Sequence, residues 1–356
     1  MNCGRWPRQA LLCLGAVIFS LVMAEVAARW FLPPPTRPSG AHPNIHAPNL
    51  YALRSMNQPD PRIGWVLSSD PVKVPHRLVD NHGVVQFDVV YSVAGGQRMT
   101  SAHPHTGPTL IVTGCSFTFG HGLNDQDTWP WLLQEQLPDY HVVNVADVAY
   151  GTDQALMAAE REVLASPHQI AGVVLGFGAF QIYRNSGTQG WLASVYPYSK
   201  PLFTVNGGRA EYERQVRYWS LGALSDHSDF FADLTYVLAN RVYRTPRHQQ
   251  ANELTAALIT TFARRFQALG VRLAVVLLPY GDDQSAQVKA DQAFLIERLQ
   301  AAQIPTLVLD FPRLPNGSID GTKFLLPADG HPNRQYTLVV TDQLQRFLID
   351  QKIVVR

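Results

Sequence analysis

The chain is poor in cysteine and in charge. Its 356 residues include three cysteines, and Lys, Arg, Asp and Glu together make up 16%. Cys3 and Cys13 lie near the start, which leaves Cys115 alone in the rest of the chain. One thiol cannot form an intramolecular disulfide, so we expect the hydrophobic core to hold the fold. The formal net charge of +1 offers no basic excess for phosphate binding and argues against a nucleic-acid partner.

Several common site motifs are missing as well. There is no H-E-x-x-H and no cysteine pair for zinc, although His103, His105 and His121 lie near one another. The turn after the first apolar strand carries neither of the glycine-rich phosphate-binding patterns. The G-x-S-x-G spacing of a nucleophile elbow is absent there too. The sequence therefore predicts no metal site and no cofactor.

The N-terminal segment, residues 1–32, has the pattern of an export signal. Arg5 and Arg8 precede an apolar run over 10–24, and basic residues before such a run stay on the cytoplasmic side. The segment is either a signal peptide cleaved after Ala24 or an uncleaved helix that anchors the protein in the membrane. We favour the anchor. In both cases the remaining chain faces the periplasm or the cell exterior, or is secreted.

The rest of the chain divides by pattern. Residues 33–60, rich in Pro, Asn and Ser, predict a linker, and residues 61–107 a small β-rich lead-in. Residues 108–350 alternate apolar strands with helices, with a less regular insertion at about 185–250 that carries a short helix near 228–243. This alternation predicts an α/β domain with a doubly wound parallel sheet. Strands are expected at 109–113, 142–145, 172–177, 272–278 and 306–309, and helices at 126–137, 153–165, 251–269, 285–302 and 333–349.

Ser116 follows the first core strand inside the turn Gly114-Cys115-Ser116-Phe117-Thr118-Phe119-Gly120. A serine at the carboxyl end of such a strand can face the crevice where ligands of open α/β sheets bind. It needs a base, and the base needs a carboxylate to orient it. Asp329 and His331, two residues apart in the loop before the last helix, can supply both groups. Cys115 is a weaker candidate nucleophile, because adjacent residues leaving a strand point to opposite faces.

Four stretches, in this order and spacing, resemble the signatures of the SGNH (GDSL-like) hydrolases. They are GCSFTFGHGLNDQDTW at 114–129, VNVADVAYGTDQ at 143–154, VVLGFGAFQIYRN at 173–185 and DGHPN at 329–333. The resemblance implies a flavodoxin-like three-layer fold, with Ser116 as nucleophile, His331 as general base and Asp329 as its orienting carboxylate. It also implies an oxyanion hole formed by the Ser116 N–H, an N–H of Ala149 or Gly151, and a side chain of the third signature.

Two positions depart from the family pattern. The glycine expected in the second signature falls on Ala149, which keeps its N–H. The Asn-Asp pair expected in the third falls on Phe180-Gln181. Phe180 cannot donate a hydrogen bond, and losing one oxyanion donor costs on the order of a hundred- to a thousandfold in rate. The Gln181 amide is the expected substitute.

The predicted function is hydrolysis of O-acetyl or other short acyl esters outside the cytoplasm, on a small-molecule or glycan substrate. The D-x-H spacing of Asp329 and His331 resembles that of polysaccharide O-acetyltransferases and esterases, which favours an acetylated glycan. A glycan O-acetyltransferase would use the same triad. A catalytically silent envelope protein that binds carbohydrate with this fold is the third hypothesis, and Phe180 is its support.

Overall fold

The computed structural model describes residues 6–31, 55–80, 82–188, 191–192, 195, 198–217, 228, 230–231, 234, 238, 248–280, 285–327 and 329–355. Helices and strands are numbered below over these residues. The chain forms two compact units. The smaller unit comprises 1–45, 188–197 and 217–245, and the larger one the rest. All the residues of the predicted site lie in the larger unit.

The first helix, α1 (Trp6–Phe31), belongs to the smaller unit. Within that unit the Glu25 carboxylate accepts hydrogen bonds from the Ser228 hydroxyl at 2.6 Å and from the Phe230 N–H at 3.0 Å. None of the described helices is long and apolar enough to cross a membrane. The predicted membrane anchor, and a membrane partner through it, are therefore not supported.

An eight-stranded sheet forms the centre of the larger unit. In order across the sheet, its strands are β12 (Thr306–Val308), β11 (Leu273–Leu277), β8 (Ile170–Phe177), β6 (Thr109–Gly114), β7 (His141–Asn144), β5 (Gln97–Arg98), β4 (Val85–Ala94) and β3 (Val72–Val79). Five neighbouring strands, from β12 to β7, are parallel. They are almost entirely apolar, as expected for strands covered on both faces. They confirm the strands predicted from the sequence and are β6 (Thr109–Gly114), β7 (His141–Asn144), β8 (Ile170–Phe177), β11 (Leu273–Leu277) and β12 (Thr306–Val308).

The sheet is mixed and mostly parallel, because the predicted lead-in strands extend it in antiparallel fashion. β3 (Val72–Val79), β4 (Val85–Ala94) and β5 (Gln97–Arg98) pair with one another in antiparallel fashion. β5 joins them to β7 through an antiparallel pair between Arg98 and Asn144. Buried and exposed residues alternate along β3, as in a strand with one covered face. The remaining strands of this region, β1 (Asn57–Asp60) and β2 (Gly64–Leu67), form a separate hairpin.

Helices cover both faces of the parallel strands. On one face, Leu110 and Val112 of β6 share an apolar core with α3 (Trp129–Gln136) and α9 (Arg334–Asp350). On the other face, Thr113 of β6 donates to the Ala155 carbonyl in α4 (Thr152–Ala165), which packs on α6 (His248–Ala268). This gives the three layers of the predicted α/β fold. The remaining helices are α2 (Ser116–Phe119), α5 (Gln181–Asn185), α7 (Ala286–Ala301) and α8 (Gly321–Phe324).

The predicted insertion contains a β-hairpin that the sequence analysis missed. It consists of β9 (Ser199–Asn206) and β10 (Arg209–Arg217). Lys200 is fully buried and forms an ion pair with Asp153 in α4, which fastens the hairpin to the layer of helices. Most residues of the helix predicted near 228–243 and most of the predicted linker lie outside the described residues, while the last linker residues form β1.

Candidate active site

Ser116, His331 and Asp329 lie together at the carboxyl end of β6. The Nε2 atom of His331 is 2.8 Å from the Ser116 hydroxyl oxygen. Its Nδ1 atom is 2.7 Å from the Asp329 carboxylate. Ser116 and His331 are 215 residues apart in the sequence, so the fold brings the two predicted groups together. With the Nδ1 proton donated to Asp329, the Nε2 lone pair is free to accept the serine proton.

The turn that carries Ser116 requires glycine at its start. Gly114 has φ of +154°, and a Cβ there would lie 2.6 Å from the Gly176 carbonyl of the neighbouring strand. Cys115 then adopts an extended conformation before the single turn of α2, and Gly120 ends that turn with a left-handed φ of 85°. The strand and α2 thus fix the direction in which Ser116 leaves the sheet.

Arg98 fastens the segment after Ser116. Its guanidinium is fully buried, donates to the carbonyls of Phe119, Gly120 and Leu123 at 2.6 to 2.7 Å, and pairs with Asp125 at 3.1 Å. One side chain thus satisfies three buried backbone acceptors, and the Gly120 carbonyl also accepts from the Leu123 N–H at 3.2 Å. No sequence pattern indicates this role, since β5 and the loop meet only in the folded chain.

Asp329 and His331 lie on a loop tied back on itself. The Leu326 N–H donates to the His331 carbonyl at 2.7 Å, and Gly330 has a left-handed φ of 76°. Asn333 ends the loop and caps α9, because its side chain accepts from the N–H groups of Gln335 and Tyr336. The last predicted signature therefore combines the two site residues with a turn glycine and a helix cap.

The electrostatics of Asp329 suit an orienting carboxylate. Partial burial disfavours its charge, but the hydrogen bond and the attraction from His331 outweigh burial and hold the pKa of Asp329 below its usual value. The carboxylate is therefore ionised at neutral pH. It can stabilise the imidazolium that forms when His331 takes a proton.

A second histidine lies against the first. The ring of His121 is 4.6 Å from that of His331, centroid to centroid. Burial, followed by the nearby His331, lowers the pKa of His121 well below its usual value, so its ring is neutral. His76 packs on it at 5.1 Å, and burial lowers the pKa of His76 to about 4. In the sequence, His121 stands out only as one of three neighbouring histidines and as a member of the first signature.

His121, Asp329 and His331 also form a group that could hold a metal ion. One ligand atom of each lies within 4.8 Å of the others. His103 and His105, which are near His121 in sequence, are not part of this group. His105 instead bonds to the Ser101 hydroxyl at 3.1 Å, and His103 is exposed.

The predicted oxyanion donors differ in their present bonds. The N–H groups of Ser116 and Ala149 make no hydrogen bond to the described residues. Ala149 has a left-handed φ of 66°, which is the conformation that a glycine adopts readily. The Gly151 N–H donates to the Gln154 side chain at 3.3 Å, at the start of α4, and so is already used.

Phe180 and Gln181 occupy the place of the third signature. The Phe180 ring packs between Phe117 and Tyr280, with centroid distances of 5.2 Å to each. Gln181 is buried, and its side-chain oxygen Oε1 accepts from the Gly178 N–H at 2.9 Å. Its amide nitrogen is buried without a partner among the described residues. The third signature therefore retains a side-chain donor that has no partner among the described residues, on Gln181.

Cys115 lies in the apolar core on the face occupied by α3 and α9. Burial raises the pKa of its thiol, although Arg184 opposes the shift. A buried thiol with a raised pKa is a poor nucleophile.

Comparisons with known proteins gave matches among solved structures. No protein-family model matches the chain, and no curated protein matches it. Among solved structures, TesA has 15% identity and a TM-score of 0.41, and the match covers 69% of this chain and 99% of that one. The esterase EstA from Pseudoalteromonas sp. has 11% identity and a TM-score of 0.39, over 68% of this chain and 98% of that one. A catalytic mutant of an acetylxylan esterase from Geobacillus stearothermophilus has 12% identity and a TM-score of 0.38, over 71% and 99%. Because these identities and TM-scores are low, the matches assign no role to any residue of this chain, and such roles rest on the geometry described above.

Proposed function

We propose that this protein hydrolyses acyl esters with Ser116 as nucleophile, His331 as general base and Asp329 as its orienting carboxylate. The main support is the unbroken series of contacts from Asp329 to His331 at 2.7 Å and from His331 to Ser116 at 2.8 Å. A serine hydroxyl is a weak nucleophile, and such a series lets the base remove its proton during attack.

In the first half of the proposed reaction, the Ser116 oxygen bonds to the ester carbonyl carbon while its proton passes to His331 Nε2. The tetrahedral intermediate then collapses, and His331 gives that proton to the departing alcohol. An acyl group remains on Ser116. In the second half, water attacks the acyl carbon and gives a proton to His331, which returns it to the Ser116 oxygen as the acid leaves.

The oxyanion of each tetrahedral intermediate needs donors. We assign this role to the N–H groups of Ser116 and Ala149 and to the amide nitrogen of Gln181, which make no hydrogen bond within the part of the chain that the structure describes. Donors held in place before the reaction stabilise developing charge more effectively than solvent, which must reorient. Gln181 would then replace the donor that Phe180 lacks.

The substrate class is proposed from the sequence. The spacing of Asp329 and His331 resembles that of enzymes that act on O-acetylated polysaccharides, so we propose O-acetyl or short-chain esters, including those of glycans. The basic and apolar N-terminal segment supports action outside the cytoplasm.

The test combines labelling with turnover. A fluorophosphonate probe should label the protein at Ser116, and p-nitrophenyl acetate should be hydrolysed; Ser116→Ala should abolish labelling and reduce kcat/KM on the order of 10⁴-fold or more. Ser166→Ala, at an exposed serine, is the matched control and should retain both activities. Absence of labelling and hydrolysis in folded wild-type protein would overturn the proposal and favour a silent binding protein. Acyl transfer to a glycan in preference to water would assign the triad to transfer.

A further inference from the structure

The side chains of His121, Asp329 and His331 lie together beside Ser116. One ligand atom of each lies within 4.8 Å of the other two. His121 is nearly buried, whereas Asp329 and His331 have 15% and 23% of their side chains exposed. Ions in solvent can therefore reach the cluster from the loop side.

His121 is held in a way that suits a metal ligand. Its Nδ1 atom is 3.3 Å from the Tyr91 hydroxyl, which also accepts from the Gly122 N–H at 2.9 Å. In the tautomer that carries its proton on Nδ1, His121 donates to the Tyr91 oxygen and leaves the Nε2 lone pair available. Metal-binding histidines commonly donate their second N–H to a fixed acceptor in this manner. The Nε2 atom makes no hydrogen bond to the described residues.

The ligands favour zinc and similar ions. Two imidazoles and one carboxylate are the set found in open zinc sites, whereas magnesium and calcium prefer oxygen alone. Tetrahedral zinc places its ligand atoms about 3.4 Å apart, given zinc–ligand bonds of about 2.1 Å. A separation of up to 4.8 Å needs only a small inward movement of the loop that carries Asp329 and His331.

We propose that His121, Asp329 and His331 bind a divalent zinc-like ion reversibly, and that the bound ion inhibits the enzyme. The inhibition rests on the proposed function, whereas the binding does not. Both ring nitrogens of His331 already serve the triad, with Nδ1 facing Asp329 and Nε2 facing Ser116. A metal ion must take a ring lone pair, so it breaks one of these two contacts and removes the base from Ser116.

Binding is tested apart from catalysis. Full-length Ser116→Ala protein retains the three ligands, and equilibrium dialysis against ZnCl₂ should give about one tightly held zinc per chain. His121→Phe in the same background should weaken zinc binding at least tenfold, since the ring is replaced by one that fits its aromatic neighbours without a lone pair. His103→Phe, at an exposed histidine, is the matched control and should change nothing. Asp329→Ala, on the partly exposed loop, is a second ligand variant that leaves the core intact and should also weaken binding.

Inhibition is then measured in wild-type protein with p-nitrophenyl acetate. Zinc should inhibit ester hydrolysis, and a chelator should restore it. Magnesium at the same concentration should not inhibit. In His121→Phe, the zinc concentration for half-inhibition, relative to that variant's own metal-free rate, should rise at least tenfold. If the Ser116→Ala protein binds no zinc, or if His121→Phe and Asp329→Ala both bind it as tightly as their parent, the metal site is overturned. If zinc binds as expected but no protein hydrolyses the ester, the proposed function fails while the metal site stands.

Discussion

The two sides of the candidate triad are held in different ways. Ser116 is 2% exposed, lies between a core strand and a one-turn helix, and precedes a loop fixed by the buried Arg98. His331 and Asp329 lie on a partly exposed loop whose shape depends on a few backbone bonds and the Asn333 cap. The nucleophile is thus part of the buried core, whereas the base lies on a partly exposed loop that packs against it. Apart from Ser116 itself, whose hydroxyl is the proposed nucleophile, we therefore expect changes on the first side to affect mainly stability and changes on the second to affect mainly activity.

The largest expected effect on activity is that of His331→Ala. Removing the base should reduce kcat/KM for p-nitrophenyl acetate on the order of 10⁴-fold, because Ser116 then loses its proton acceptor. The side chain is 23% exposed, so the free energy of unfolding should change by about 1 kcal/mol or less. Ester hydrolysis and urea denaturation of the same protein check both statements. Activity near that of wild type would exclude His331 as the base.

Arg98→Met should have the opposite profile. It removes the guanidinium that pairs with Asp125 and that donates to three buried carbonyls, and breaking a buried pair costs about 3–5 kcal/mol. The midpoint of urea unfolding measures the loss. Arg77→Met is the control, since Arg77 pairs with Asp88 at 3.6 Å while both side chains are more than half exposed. Such a surface pair contributes about 0–1 kcal/mol. Equal losses in the two variants would mean that the Arg98 network does not hold the nucleophile side.

Gln181→Leu tests whether the missing oxyanion donor has been replaced. We expect kcat to fall about a hundredfold with little change in KM, because the donor acts on the intermediate rather than on the bound ester. Gln134→Leu is the matched control. Gln134 is a buried amide that bonds to Leu137, Tyr140 and Val142 near the start of β7. That control should lose stability without a specific loss of kcat. An unchanged kcat in Gln181→Leu would leave the oxyanion to the backbone donors alone.

Sequence patterns predicted the parts of the molecule that depend on local order. The apolar strands, the helices between them and the turn glycines follow from short-range periodicity and backbone preference. The hairpin of β9 and β10 was missed although Asn206-Gly207-Gly208 is a strong turn signal, because charged residues hide the alternation in β10.

Contacts between segments that are far apart along the chain could not be predicted from the sequence. The antiparallel pairing of Arg98 with Asn144, which adds the lead-in strands to the sheet, has no local signature. The stacking of His121 on His331 depends on a loop closing over the sheet, and one sequence cannot indicate that geometry. The triad could be predicted because Asp329 and His331 lie two residues apart in the last of four stretches whose order along the chain resembles that of the family signatures.

The smallest expected effect is at Ala149, on the loop that supplies a backbone donor to the nucleophile side. Its φ of 66° is unfavourable for a residue with a Cβ, and glycine relieves that strain while losing more entropy on folding. Ala149→Gly should therefore raise the free energy of unfolding by about 0.5–1 kcal/mol and keep kcat, since the N–H is unchanged. Ala290→Gly, at an exposed position inside α7, is the control and should lower stability by about 1 kcal/mol. If urea denaturation shows that Ala149→Gly raises the free energy of unfolding and Ala290→Gly lowers it, the left-handed conformation at Ala149 is strained by the alanine side chain. A loss of stability in both variants would mean that the chain gains nothing from glycine at Ala149, and that the loop is not strained there.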